Sequence, residues 1–277
     1  MEYARGSLGR REFLKGLARV AGGTAAALSV LPLLEGNLAI AQVVPKDDER
    51  LRTEYVKYRG ATGEVRAYLT RPKGGTKLPG VIVIHENRGL NPHTEDVSRR
   101  VALEGFLAIA PDGLSPLGGT PAEADEARSM IGKLDRVETT KNYVAAVEYL
   151  KTYPQSTGKV GCMGFCWGGG VTNQVAVHSA DLKAAVPFYG MQPDPADVPK
   201  IKAAMLIHYA GTDERINAGI PAFEEALKKA GVDYKIYIYE GAVHAFFNDT
   251  VPERYNREAA ELAWQRTLAF FKEKLRP

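Results

Sequence analysis

The sequence predicts an α/β domain in which a mostly parallel central sheet carries helices on both faces. Three observations predict it. Short apolar runs alternate along the chain with segments of helical spacing. Several of those runs are apolar throughout, as strands covered on both faces are. Residues able to carry chemistry fall just past the ends of the runs, where ligand-facing groups of parallel sheets collect.

Val65–Thr70 reads as a short strand that runs into Arg71-Pro72. Gly80-Val-Ile-Val-Ile-His85 is a buried strand by its unbroken apolar run. Thr94–Glu104 is helical, with Val97, Val101 and Leu103 apolar, and Phe106–Ala110 is a strand stopped by Pro111. Glu123–Gly132 and Arg136–Thr152 are helices; in the second, Tyr143, Val144, Val147 and Leu150 recur at helical spacing. Lys159–Gly164 is a strand and Gly168–His178 the helix after it. Lys183–Tyr189 and Ala203–Tyr209 are strands, Ile220–Ala230 is a helix closed by Gly231, Tyr234–Tyr239 is a strand, and Arg257–Leu275 is the closing helix. Repeated β-then-α order places helices on both faces of one sheet. No internal repeat or second domain is visible. The domain is expected over 54–277, after a polar arm at 42–53.

Residues 1–41 read as an export signal. Arg10 and Arg11 form a twin-arginine pair, Leu17 to Leu34 is modestly apolar, and Ala39-Ile40-Ala41 offers a small-x-small cleavage site before Gln42. The expected partner is the twin-arginine export machinery, and the expected location the periplasm or the exterior. An uncleaved anchor stays open, although the run is short and glycine-bearing for a spanning helix; after cleavage no stable membrane partner is expected. Of 36 basic and 33 acidic residues, five and three lie in this segment, which leaves 42–277 with 31 and 30. That near-balance gives no footing for a nucleic-acid partner. The two cysteines are Cys162 and Cys166. Four extended residues span roughly 13 Å, beyond disulfide reach, so both are expected as free thiols.

The strongest chemical signal is Gly164-Phe-Cys166-Trp-Gly168, set between a strand and a helix. That is the context of a nucleophile elbow, and with it the α/β-hydrolase fold. A sharp turn lifts one side chain above the sheet, small residues flank it, and the helix N-terminus behind it favours a thiolate and a developing oxyanion. A structural cysteine in a Gly-rich turn is the alternative. A nucleophile needs a base and the base an orienting carboxylate. His244 lies in the loop after Tyr234–Tyr239, and Asp213 in Gly211-Thr-Asp-Glu-Arg after Ala203–Tyr209, giving the chain order nucleophile, acid, histidine. His178 is expected to point away at the end of the elbow helix, and His208 to pack in the core. Asp194 and Asp197, in a Pro-rich loop, suit turns. After Gly80–His85 comes Glu86-Asn87-Arg88-Gly89, where this fold supplies a second oxyanion donor, so the N–H groups of Asn87 and Trp167 are the candidates. The local sequence leaves Glu86 open between a charge partner of the thiol and a surface carboxylate. No metal-ligand spacing is present in the sequence, and no metal or organic cofactor is implied.

These residues resemble the dienelactone hydrolase family across nearly all of 42–277. The resemblance rests on Val-Ile-Val-Ile-His-Glu86, Ala110-Pro-Asp112, Gly-Phe-Cys166-Trp-Gly-Gly, Gly-Thr-Asp213 and His244-Ala-Phe. It implies a Cys166–Asp213–His244 triad, and a Glu86 that contacts the resting thiol and helps convert it to thiolate when substrate binds. His85 to His93, with Asn248-Asp249, looks like an exported subgroup. Family members that take dienelactone grip its carboxylate with two arginines; the matching stretches here are Gly113-Leu-Ser-Pro116 and Asn248.

The resulting expectation is hydrolysis of a small-molecule ester or lactone through a thioester on Cys166. A peptidase or thioesterase on the same triad is the alternative enzyme, and a non-catalytic binding protein of this fold the alternative class. Trp167, Tyr189, Phe246 and Leu114 are expected to wall the substrate pocket, with Arg88 or Arg254 as replacement cations. Walls of that kind favour a neutral substrate over its carboxylate-bearing analogue.

Overall fold

Eight strands form one sheet in the order β1-β2-β4-β3-β5-β6-β7-β8. They are β1 (Leu51–Gly60), β2 (Gly63–Pro72), β3 (Leu78–Ile84), β4 (Leu107–Pro111), β5 (Ser156–Phe165), β6 (Leu182–Phe188), β7 (Ala204–Ala210) and β8 (Tyr234–Tyr239). The computed structural model describes residues 43–74 and 77–276. β1 and β2 form an antiparallel hairpin, β2 runs antiparallel to β4, and the pairings from β4 through β3 to β8 are parallel. The helices are α1 (Pro92–Leu103), α2 (Ala124–Ile131), α3 (Arg136–Thr152), α4 (Trp167–His178), α5 (Glu214–Asn217), α6 (Ile220–Ala230) and α7 (Arg257–Lys274). This is the α/β-hydrolase fold.

Strand alternation sorts the core into two layers. Ile82, Ile84 and Cys162 face α3, α4 and α6 through Tyr143, Val147, Leu150, Val175, Phe223 and Leu227. Val81, Val83, Met163 and Phe165 face α1 and α7 through Val97, Val101, Ala263 and Phe271. Sheet residues point both ways, which is why the central runs are apolar throughout. Every parallel strand ends on the same edge, so the residues after β3, β5, β6, β7 and β8 meet there.

The described elements agree with the predicted ones except at the first edge and at the short α5, which the sequence reading left in the loop after β7. β1 was not anticipated, because Arg52, Glu54, Lys57 and Arg59 break its apolar pattern; it is an edge strand with a partly exposed face. It starts at Leu51, inside the stretch assigned to a polar arm. Val43 and Val44 are also fixed, since their N–H groups donate to the Asp96 carboxylate at 3.2 and 2.8 Å. The twin-arginine pair and the expected cleavage site lie outside the described residues.

Asp96 belongs to a buried charge cluster on α1. Arg99, fully buried, donates to Val44 O at 2.8 Å and to the Tyr68 hydroxyl at 3.0 Å, and its guanidinium lies 3.6 Å from Asp96. Arg100 bonds Asp96 and, at 2.6 Å, Asp249. Asp249 follows the loop that carries His244, so the cluster ties that loop to α1. Removing one partner of a buried pair strands the other charge and costs about 3–5 kcal/mol. Asp96→Ala is expected to lower unfolding free energy in urea by that amount; a loss under about 1 kcal/mol would show that the cluster does not hold the fold together.

Candidate active site

The turn from β5 into α4 is tight. Cys166 takes φ 55°, ψ −113°, outside the regions a cysteine favours. The glycines around it are required by space. A Cβ on Gly164 would lie 2.3 Å from Gly168 O, and one on Gly168 would lie 2.4 Å from His85 O. The α4 N-terminus thereby presses onto the ends of β3 and β5 and holds Sγ above the sheet. Among the described residues the other non-glycine positive φ values are Tyr189 (38°) and Ala245 (71°), both beside Cys166. Backbone strain is concentrated where Sγ is presented.

Two loops reach this thiol from the same edge. His244 Nε2 lies 3.0 Å from Cys166 Sγ. Its Nδ1 is bonded to the Asp213 carboxylate, on the loop after β7. Asp213 therefore fixes Nδ1 as the protonated nitrogen and leaves the Nε2 lone pair toward the thiol. His208, by contrast, is fully buried between the Tyr239 hydroxyl at 2.9 Å and Thr267 Oγ1 at 3.1 Å, and burial pushes it down to about 3. It is a neutral core histidine, as its strand position suggested.

The loop after β3 is set by His85. Its Nε2 accepts from Gly113 N–H at 3.0 Å, so Nδ1 carries the proton and donates to Glu86 O at 2.6 Å. Burial pushes this imidazole down and keeps it neutral. The ring stacks on Trp167 at 5.1 Å, which ties the loop to the first turn of α4. Asn87 is thus held beside Cys166. The Glu86 side chain accepts from Asn248 Nδ2 at 2.7 Å and from the Tyr189 hydroxyl at 3.3 Å. Glu86 and Cys166 share the smaller cavity; the hydrogen bond of Sγ is to His244, and the Glu86 carboxylate beside the thiol pushes its pKa up.

Two cavities meet at Cys166. The larger, about 640 Å³, runs between α3 and α4 and is lined chiefly by Ile131, Leu134, Val137, Trp167, Val171 and Met191, with exposed Arg136, Lys141 and Arg215 also on its wall, the last shared with the smaller cavity. The smaller, about 290 Å³, holds Glu86 and His244 with Arg88, Arg128, Arg215 and Arg254. The apolar pocket expected from the sequence is therefore half of the site. Tyr189 lines the larger cavity, but Phe246 does not: it is fully buried behind Tyr189, ring centroids 5.3 Å apart. Leu114 is likewise buried, packed on Ala127 and Ile131. His178 is exposed at the far end of α4, its Nδ1 2.9 Å from Gln174 O, and touches the end of the larger cavity remote from Cys166. Sequence reading missed Arg128 and Arg215. Arg215 was within reach of it, two residues past Asp213 on the edge where the site forms.

Comparison with known proteins places the chain. The model of the dienelactone hydrolase family matches residues 65–275. The chain belongs to the dienelactone hydrolase family. Two relatives carry the name "Putative carboxymethylenebutenolidase". The one from Saccharolobus solfataricus is 35% identical over 253 residues, covering 78% of this chain and 96% of the relative. The one from Escherichia coli K12 is 31% identical over 247 residues, covering 83% and 90%. The crystal structure of a "Putative Dienelactone Hydrolase" from Klebsiella pneumoniae superposes with TM-score 0.73 at 28% identity, covering 80% of this chain and 99% of that one.

Within this family fold the two thiols differ. Cys162 is fully buried beside Thr172 and is pushed up to about 12 by burial. Burial also pushes Cys166 up, to about 11, and the Glu86 carboxylate adds to it, whereas the Trp167 N–H and Arg215 pull the other way. Both are free. Removal of the Glu86 charge lowers the Cys166 pKa and enlarges its thiolate fraction at neutral pH. Iodoacetamide at pH 7.5 is therefore expected to modify Cys166 and spare Cys162, and Glu86→Gln to speed the Cys166 reaction measurably. An unchanged or slower rate in Glu86→Gln contradicts the charge effect.

Proposed function

We propose that this protein hydrolyses a carboxylic ester or lactone with Cys166 as nucleophile, His244 as base and acid, and Asp213 as the group that orients His244. The observation that carries the reading is the relay from Asp213 through Nδ1 and Nε2 of His244 to Sγ, at 3.0 Å, on a strained strand-to-helix turn. Family membership supports hydrolysis, and the names of the relatives support an ester or lactone as the bond cleaved.

The chemistry follows from the positions. The thiol passes its proton to His244 Nε2 as Sγ forms a bond to the carbonyl carbon. The oxyanion rests between the Trp167 and Asn87 N–H groups; one such donor is worth ~3–4 kcal/mol of barrier. The C–O bond then breaks, and the imidazolium returns its proton to the leaving oxygen, which leaves a thioester on Cys166. Water gives a proton to His244 as it attacks the thioester, the acid departs, and the thiol is restored. With burial holding the resting thiol protonated, its proton passes to His244 Nε2 as Sγ attacks rather than before it. Tyr189, whose hydroxyl is raised well above its ordinary value by burial and by Glu86, stays protonated and keeps its bond to that carboxylate.

Steady-state hydrolysis of phenyl butanoate tests this reading. Cys166→Ala is expected to lose about a thousandfold or more in kcat, Cys162→Ala less than about threefold, and Cys166→Ser to keep little activity because a hydroxyl needs a stronger base. Equal losses in folded Cys166→Ala and Cys162→Ala would remove Cys166 from the mechanism.

Export remains part of the proposal, on the strength of Arg10-Arg11, the apolar run and Ala39-Ile-Ala41. A twin-arginine substrate crosses folded, which would spare the reactive thiol from oxidation while unfolded. The mature chain is expected to begin near Gln42 outside the cytoplasm, and Arg10→Lys with Arg11→Lys to retain it inside. A soluble cytoplasmic protein that begins at Met1 contradicts this.

A further inference from the structure

We propose that the substrate is an open-chain ester of a bulky apolar acid with an anionic alcohol; the inference rests on the hydrolase reading above. The geometry points to this because the two cavities differ in chemistry and divide at the scissile bond. His244 lines the smaller cavity, and among the residues lining the larger one it does not appear. His244 must give its proton to the leaving oxygen, so the alcohol occupies the smaller cavity. The acyl chain bound to Sγ extends the other way, along Trp167, Val171 and Met191.

The smaller cavity is built for negative charge. Arg88 comes from the loop after β3, Arg128 from α2, Arg215 from α5 and Arg254 from the segment before α7, so four separate elements converge there. None of these four guanidinium groups makes an ion pair or hydrogen bond with another described residue. The carboxylate among the lining residues, Glu86, is already bonded to Asn248 and Tyr189. All four are solvent-exposed, so water screens much of their mutual repulsion, but their convergence on about 290 Å³ makes a positive field that a bound anion lowers. Guanidinium groups also bind carboxylate and phosphate in the same forked geometry, so the shared chemistry is an oxyanion on the alcohol.

The larger cavity also touches Arg136, Lys141 and Arg215, but it alone carries an apolar wall of Ile131, Leu134, Val137, Trp167, Val171 and Met191, with room for more than a short chain. At about 640 Å³ it lies in the range of pockets that enclose drug-sized ligands. Gly170, on α4, lines it, and a Cβ there would meet only ordinary contacts with Met191, the nearest at 3.6 Å. A side chain at 170 would therefore fill the acyl cavity without straining the backbone.

The experiment compares five esters on the full chain: phenyl acetate, phenyl octanoate, the phenyl half-ester of octanedioic acid, and octanoates of 3-hydroxybenzoate and of 3-hydroxyphenyl phosphate. The 3-carboxy or 3-phosphate octanoate is expected to exceed phenyl octanoate in kcat/KM by about tenfold or more at low salt, with the advantage fading as ionic strength rises. The larger of the two ratios tells whether carboxylate or phosphate fits. Phenyl octanoate is expected to exceed both phenyl acetate and the half-ester by about tenfold. Arg128→Gln with Arg254→Gln should bring the anionic-to-neutral ratio to within about twofold of one, and Gly170→Leu should reverse the octanoate-to-acetate ratio. Anionic leaving groups that give ratios of one or below, or a half-ester that outpaces phenyl octanoate, overturn the division of the cleft while hydrolysis by Cys166 stands. No Cys166-dependent turnover of any of the five overturns both.

Discussion

The approach of the α4 N-terminus to the ends of β3 and β5 is the constraint on which the site depends. Gly168 sits against the carbonyls of Ile84 and His85, and Gly164 against Gly168, at separations that no side chain would tolerate. That contact forces the left-handed turn at Cys166, lifts Sγ clear of the sheet, and turns the first free N–H groups of α4 toward the space in front of it. It also brings Trp167 onto His85, so the position of Asn87 follows from the same packing. Loosening this contact would disturb Cys166 and both proposed oxyanion donors together.

The partners of Cys166 are held by separate devices. Asp213 and His244 come from consecutive strand ends, β7 and β8, which the parallel ladder keeps in register. The His244 loop is then tied down twice: Asn248 bonds Glu86 on the β3 loop, and Asp249 bonds Arg100 on α1. Asn248 brings an uncharged side chain to the first of these contacts. Its amide donates to Glu86, so Glu86 bonds there to a neutral group, which leaves its negative charge to act on the thiol.

The central strands were legible because both faces of the sheet are covered, which makes 80–84 and 107–110 uniformly apolar. α3 and α6 were legible from helical spacing and from Gly231, which takes the left-handed φ of 66° at the end of α6. β1 was hidden because an edge strand keeps charges on its open side. Cys166, Asp213 and His244 were legible through motif and chain order, since each follows a strand and all strands end on one edge. What the sequence could not supply was which exposed cations converge. Arg88, Arg128, Arg215 and Arg254 are spread over most of the domain, and only the fold brings them to one cavity. Phe246 was misplaced for a related reason: it is two residues from His244, but the positive φ at Ala245 turns it into the core.

The central claim is that an acyl group passes through Cys166. Its most direct test is mass spectrometry of protein mixed with an aryl ester and quenched in acid within milliseconds, followed by peptide mapping. The account predicts one acyl adduct, on the peptide that carries Cys166, labile to hydroxylamine as a thioester is, and absent from Cys166→Ala. Turnover with the acyl group on any other residue, or rapid turnover with a burst of alcohol and no adduct on Cys166, would contradict it.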